Sequence, residues 1–503
     1  MVLQLFFKAA NYVFESKYFY HGVIAIIALV ITYAFSQGRT TNRERDLHAR
    51  TIVITGGFSP LGITLISSLA FRGAHIVAVS PYPLSHPQPS LIIPALREAT
   101  KNDKIFAEYA DLSSPKSIRE FCTRFLTGDD QRVDGIVFAH EYEGIGSLFG
   151  SSFCQETKRQ ETKRETRSLA SFLIITLLLP ALLVAPVERD IRIVNVVNPF
   201  YAAAIPSFTS SLIGGLSADS ETSAVPRSVF VSEGDRALRT TIFVRHLQRI
   251  LNALPNRAPA LDRSGPSGKN TPAASEPTLD EKDSKFPSNI VAVSVCPGIG
   301  RSETIGSLLG GEYGRDPEGY SVFGHMLSYL LFPIIWLFFK NSRMAMQSVL
   351  HALFLPTPLK RALAHAYASV DATMAASQKE AANNAQKDEG ATGGMTGDLF
   401  TEVVKPGALY RECSVVSISV PPLPTVADGD TKANQQRTAK DDLKKKGPST
   451  GLGEELVIEE DGEYGGESMG RVVWEWYEKK LKAWEAVEKE LQPRSEDAPK
   501  NDS

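Results

Sequence analysis

The stretch TIVITGGFSPLG, Thr51 to Gly62, decides the fold. Thr51 to Thr55 reads as a short apolar strand, and ITLISSLAFRG after it reads as a helix. The turn between them holds Gly56 and Gly57, which permit a tight bend, and Gly62, which lets helix and strand lie close. A glycine turn between strand and helix lets a pyrophosphate approach the backbone, with helix N–H groups and the positive dipole end facing it. Outward from this unit the pattern repeats. Strands are expected at His75–Ser80, in KIFAEYADLSS with Asp111 and Leu112 at its exit, at Val133–His140, at Arg189–Asn198 and at Asn289–Gly298. Helical stretches such as SIREFCTRFL and 233–254 lie between them. Short strands alternating with helices imply parallel βαβ units, and strands such as HIVAVS are apolar on both faces, as a covered sheet requires. The expected fold class is α/β, a doubly wound parallel sheet of Rossmann type, with ligand at the carboxyl ends of the strands.

An apolar run without Asp, Glu, Lys or Arg, Phe19 to Phe35, precedes this body. As a helix it reaches about 26 Å, enough for a thin bilayer. Arg39, Arg43, Arg45 and Arg50 follow it, against Lys8 and Lys17 before it. The excess of positive charge places the body in the cytosol, on the endoplasmic reticulum or the mitochondrial outer membrane. Leu169 to Val187 is also long and apolar, but Pro180 and Pro186 interrupt it, and it reads as a core helix or a homodimer surface. Tyr320 to Phe339 reads either as an interfacial membrane element or as a cap helix on the body. A net charge of −3 argues against a nucleic-acid partner. Cys122, Cys154, Cys296 and Cys413 share no short spacing, so neither a metal site nor a disulfide framework is expected. Residues 1–49 form the anchor and its flanks, and 50–423 the Rossmann-type domain. Disordered insertions are expected at 255–288 and 375–397, a linker at 424–467, a docking helix at 468–491 and a tail at 492–503.

These residues resemble the short-chain dehydrogenase/reductase superfamily, especially its retinol-dehydrogenase-like branch, and are also similar to a fungal family of unknown function with this fold. TGGFSPLG resembles the family's TGxxxGxG turn. ADLSSPKSI resembles its adenine-contacting segment, DGIVFAH its NNAG strand end and RIVNVVN its serine-bearing strand. VCPGIGRS resembles its PGxxxT loop on the nicotinamide side. The resemblance implies an NAD(P) site at Thr55, Gly56, Gly57, Gly62, Ser80, Asp111, Leu112, Ala139, Pro297, Gly298 and Ser302.

Departures from the family are severe at the catalytic positions. Its chemistry uses a tyrosine general acid/base with a lysine in a YxxxK pattern, and a serine on the preceding strand. Here the serine position falls on Asn198. The YxxxK positions fall on Val231 and Asp235, or in a second alignment on Glu233 and Ala237. Pro60 adds bulk and removes an N–H at the phosphate turn. Ser80 ends its strand with no acid for an NAD ribose, though its hydroxyl suits the 2′-phosphate of NADP. His140, Glu141, Tyr142 and Glu143 stand at a strand exit and read as a solvated loop more readily than as acid/base groups. Tyr201 with Arg239 or Arg245 reads as surface residues more readily than as an alternative pair. The expectation is a membrane-anchored, catalytically degenerate binding or scaffolding module with no cofactor or only weak NAD(P). The alternative is an NAD(P)-dependent oxidoreductase acting on a lipophilic ligand through a non-standard site. Carbonate extraction tests the anchor: the full chain should stay with the membrane pellet, and release into the supernatant would refute it.

Overall fold

The computed structural model describes residue 4 and residues 19–128, 132–143, 145–148, 154–186, 188–216, 228–254, 287–310, 322–364, 402–421, 423 and 460–491. The expected disordered stretches 375–397 and 492–503, with 255–286 and 424–459, lie outside the described residues. The chain opens with α1 (Phe19–Ser36), then β1 (Thr51–Thr55), α2 (Pro60–Ala70), β2 (His75–Ser80), α3 (Pro87–Thr100) and β3 (Ile105–Tyr109). It continues with α4 (Pro115–Thr127), β4 (Gly135–Phe138), a short α5 (His140–Glu143), the long α6 (Cys154–Val184) and β5 (Ile191–Val196). Next come α7 (Tyr201–Ala204), α8 (Phe208–Leu216), α9 (Val229–Ala253) and β6 (Ile290–Cys296). A π-helical turn, Arg301–Gly306, leads to α10 (Ser307–Leu309), α11 (Val322–Leu330), α12 (Phe332–Phe338) and α13 (Ser342–Phe354). The last elements are β7 (Leu409–Arg411), β8 (Ser414–Val416) and α14 (Gly466–Leu491).

The eight strands form one sheet in the order β3-β2-β1-β4-β5-β6-β7-β8. All neighbours run parallel except β7 and β8. The chain winds outward from β1 to β3, crosses back, and winds outward again from β4. The crevice outside β1 and β4 is therefore the topological switch point, where α/β sheets bind ligands. β1, β4, β5 and β6 are buried along their whole length. One face carries α2, α3 and α13, and the other carries α4, α6, α9 and α14.

Several expectations need correction. Residues 460–467, placed in a disordered linker, are ordered: Asp461 pairs with Arg245 and Arg249, and Tyr464 is buried. Residues 38–49, read as a flank of the anchor, run along the body. Thr41 bonds to Gln347 and His351, Arg45 to Asp190 at 2.7 Å, and Leu47 is buried. Arg192, an arginine inside β5, is fully buried because it also pairs with Asp190 and donates to the carbonyls of Ala352 and Leu355. Pro180 lies within α6 without ending it. The charged start of α6 does more than pair along its own helix: Arg164 reaches Glu233 at 2.8 Å and Glu165 lies 3.9 Å from Arg239, both on α9.

Among the described residues one helical stretch, Glu161–Val184, is long and apolar enough to cross a membrane, and over half of it is buried in the body. Phe172, in the stretch offered as a homodimer surface, stacks on Tyr477 of α14, with ring centroids 5.2 Å apart. Trp476 beside it is buried and carries the Arg239 guanidinium on its face at 3.8 Å. The docking of α14 is thus an aromatic contact on the central helices. Trp476→Ala should destabilise the body by about 3–5 kcal/mol, the usual cost of emptying a buried aromatic site. Urea unfolding of the detergent-solubilised full chain measures it, and a change below about 1 kcal/mol would refute the packing role.

Candidate functional site

The site is built where β1 turns into α2. Gly56 sits at φ +70°, and a Cβ there would lie 2.7 Å from the His140 backbone nitrogen. A Cβ on Gly62 would lie 2.2 Å from the Gly56 carbonyl oxygen. Both positions therefore accept only glycine, and the backbone stays open to an approaching phosphate. Ser59 caps α2: its hydroxyl accepts the Gly62 N–H at 2.9 Å. Pro60 occupies the first helical position, where a missing N–H costs the helix nothing. It still removes one donor from the phosphate turn.

The β4 exit differs from expectation. His140, Glu141 and Tyr142 are buried in α5, not in a solvated loop. Thr55, at the end of β1, bonds to His140 Nδ1 at 2.7 Å, and Nε2 lies 2.9 Å from the Arg167 carbonyl. Burial pushes the His140 imidazole down to about 4. Glu141 accepts from the Ser171 and Thr240 hydroxyls at 2.9 and 3.0 Å, and burial pushes its carboxyl up. Thr240 also lies 3.4 Å from the Tyr477 hydroxyl, so a polar chain runs from this exit to the C-terminal helix.

Glu233, one of the two positions expected for the family's tyrosine, lies in an ion cluster. Asn198, at the serine position, donates to the Glu233 carbonyl at 2.9 Å. Glu233 is buried between Arg164 and Arg236 and accepts the Gly146 N–H at 3.1 Å. Two guanidiniums and a backbone N–H thus hold this carboxylate in one position. Asp235 accepts from the Ser211 hydroxyl at 2.8 Å, and Val231 is half-buried. Neither can replace a YxxxK pair. Tyr201 is buried, not on the surface, and its hydroxyl bonds to Arg411 in place of Arg239 or Arg245.

On the far side of the crevice the Pro297–Gly298 loop is gripped by two side chains. The Tyr142 hydroxyl donates to the Gly298 carbonyl at 3.0 Å, and Lys340 Nζ donates to the Pro297 carbonyl at 3.2 Å. Lys340 is buried and also pairs with Glu412 at 3.1 Å. A tyrosine and a lysine far apart in sequence thus bind adjacent peptides. Glu303 is fully buried. Ser342 donates to one of its carboxylate oxygens at 3.0 Å, while the other has no hydrogen-bond partner among the described residues. Burial and the nearby Glu303 push the Tyr142 phenol well above its ordinary range. Ser302 Oγ is buried without a partner among the described residues. The loop continues into the π-helical turn 301–306, an irregularity that concentrates at functional sites.

The strand order, the glycine turn at the switch point and the proline-glycine loop after β6 now stand together. The chain is similar to the short-chain dehydrogenases/reductases. No family model matches it. It is 25% identical over 356 residues to Uncharacterized oxidoreductase pbr1 of Schizosaccharomyces pombe, covering 70% of this chain and 82% of that protein. It is 26% identical over 339 residues to Uncharacterized oxidoreductase YNL181W of Saccharomyces cerevisiae, covering 64% and 72%. A short-chain dehydrogenase of Sphingobium yanoikuyae in complex with NADPH is 18% identical, at a TM-score of 0.36, with 68% of this chain and 99% of that one covered. A short-chain dehydrogenase of Salmonella enterica is 13% identical, at a TM-score of 0.35, with 60% and 100% covered. The fold assignment rests on the strand order and the glycine turn, and the relatives are named oxidoreductases.

The remaining cofactor positions of this dehydrogenase-like chain divide. Ala139 is buried at the β4 exit, and Leu112 is half-buried. Asp111 closes a turn, accepting from the Ser113 N–H at 2.9 Å. Ser80 does not face a phosphate: it is buried, donating to the Tyr82 carbonyl at 2.8 Å and accepting the Tyr82 N–H at 3.1 Å. Lys340 and Tyr142 were missed. The lysine lies far outside the helix that carries YxxxK, and Tyr142 reads locally as part of a polar loop.

His140 gives the site a pH signature. Its proton is held less tightly in the folded chain than in the unfolded one, whose value is near 6.5. Stability therefore falls as the pH drops from about 6.5 to about 4, by up to about 3 kcal/mol. Urea midpoints at pH 7 and pH 4.5 should converge in His140→Gln relative to the parent. An equally steep acid loss in the variant would place the effect elsewhere.

Proposed function

We propose that this chain is an NAD(P)-dependent oxidoreductase that works on a lipophilic ligand through a site unlike the YxxxK arrangement. It is anchored by Phe19–Phe35 with its body in the cytosol. One observation carries the catalytic part: Tyr142 and Lys340 bind the carbonyls of Gly298 and Pro297, on the loop that leads to Ser302, whose hydroxyl has no partner among the described residues. The residues present fit a dinucleotide. The turn at Gly56 and Gly62 would hold the pyrophosphate, and a carboxamide would satisfy Ser302. Bound NAD(P) supplies the hydride. Tyr142, kept neutral by burial, gives its one proton to the Gly298 carbonyl and so positions that loop; it does not act as a base. Lys340 places a fixed positive charge on the same loop. Naming of both fungal relatives as oxidoreductases supports the class.

A second reading, a degenerate binding or scaffolding module, is favoured by the ion pairs that fix Glu233, one of the two positions expected for the family's tyrosine. Two measurements on the detergent-solubilised full chain separate the readings. Calorimetric titration should detect NADPH or NADH, with Lys340→Met and Ser302→Ala each weakening binding about tenfold, the scale of one hydrogen bond. Turnover of a panel of lipophilic ketones and aldehydes should fall about tenfold in Tyr142→Phe, which removes the hydrogen bond that positions the Gly298 loop. Undiminished turnover in Tyr142→Phe would remove the tyrosine from the reaction. Failure of both nucleotides to bind at millimolar concentration would leave the module reading in place.

A further inference from the structure

The carboxyl edge of the sheet carries more than the crevice. α11 and α12 lie there, joined to the π-helical turn through Arg301, which donates to the carbonyls of Trp336 and Phe339 at 2.6 and 2.8 Å. These helices expose Phe323, Met326, Tyr329, Leu330, Phe332 and Trp336, each by close to half of its surface or more. Isolated exposed apolar residues are ordinary, but a contiguous set of this size on two successive helices marks a surface that meets something apolar.

That surface is continuous with α1. Tyr33 stacks on Trp336 with centroids 4.6 Å apart, and the Arg301 guanidinium lies 5.5 Å from the Trp336 ring. Ser36 donates to the Leu337 carbonyl at 2.7 Å, and Gln37 accepts the Asn341 N–H at 3.3 Å. The chain leaving α1 passes directly against Lys340: a Cβ on Gly38 would lie 2.7 Å from its Nζ. It then follows the body as a docked strap, held by Thr41 on α13 and by Arg45 on Asp190. A docked strap fixes the attitude of the body to the helix, which a free linker of the same length would not. Arg39 and Arg343 stand exposed near the rim, where cations meet anionic headgroups.

We infer that α11 and α12 lie in the surface of the bilayer, so that the carboxyl edge of the sheet, with the Pro297–Gly298 loop, faces the membrane. The inference rests on the anchor reading of α1. Its partner is a lipid surface, because the apolar face runs unbroken into α1 and carries Tyr and Trp at the junction, the residues favoured at the interface. The ligand crevice then opens at the membrane.

The test uses the full chain with Cys154 and Cys413 changed to serine, Cys122 and Cys296 left in place because they are buried, and one accessible cysteine introduced by Met326→Cys. A second version carries it at Asp103, at the amino edge of the sheet. Each is labelled with an environment-sensitive fluorophore and reconstituted in anionic vesicles with brominated acyl chains. The label at 326 should shift to the blue and lose most of its intensity, and the label at 103 should do neither. A chain that floats with the vesicles while label 326 stays unquenched overturns the inference and spares the anchor. A blue-shifted but unquenched label 326 places a second copy on the face and overturns it too. A chain that fails to float overturns the anchor, and the inference with it.

Discussion

A missing methyl group organises this molecule. At Gly62 a side chain would run into the carbonyl of Gly56, and at Gly56 it would run into the backbone of His140. Three segments, the β1 turn, the start of α2 and the exit of β4, are therefore in contact without side chains between them. That contact places the His140 ring on Thr55 and buries Glu141 and Tyr142 behind it. From Glu141 the polar chain continues to Tyr477, and from Tyr142 it continues to the Gly298 loop. The C-terminal helix and the nicotinamide-side loop are thus both registered against the same turn.

The polar interior is held by charges fixed in place. Glu233, one of the two positions expected for the family's tyrosine, is held by two arginines and a backbone N–H. A buried ion cluster of this kind adds little net stability, but losing one member leaves charge uncompensated, so the cluster resists piecemeal change. The loop after β6 lies across the crevice from this cluster. There Ser302 and one oxygen of Glu303 have no partners among the described residues, and Tyr142 and Lys340 share a loop.

Parallel strands, the glycine turn and the late elements were legible in the sequence because each is a local pattern. HIVAVS is a strand wherever it lies between two helical layers, and TGGFSPLG allows few backbone paths. The docking helix was also visible, as an apolar stripe through Val473 and Trp476. Tyr477 was not, since a tyrosine's burial depends on what meets it, and here that is Phe172 on a helix some three hundred residues away in sequence.

The sequence by itself determined the sheet, its switch point and the loss of YxxxK, since strand periodicity, glycine spacing and residue identity are properties of short segments. Only the tertiary structure decided which remote side chains meet around the crevice. Lys340 reaches the Pro297 carbonyl because β6 ends and α13 begins at the same edge, and Arg164 reaches Glu233 because α6 and α9 lie side by side. It likewise decided that residues 38–49 are a strap and not a tether, through Arg45 on Asp190 and the burial of Leu47. Ion pairs and buried hydrogen bonds join residues remote in sequence, and their partners are set by packing, which no short segment specifies.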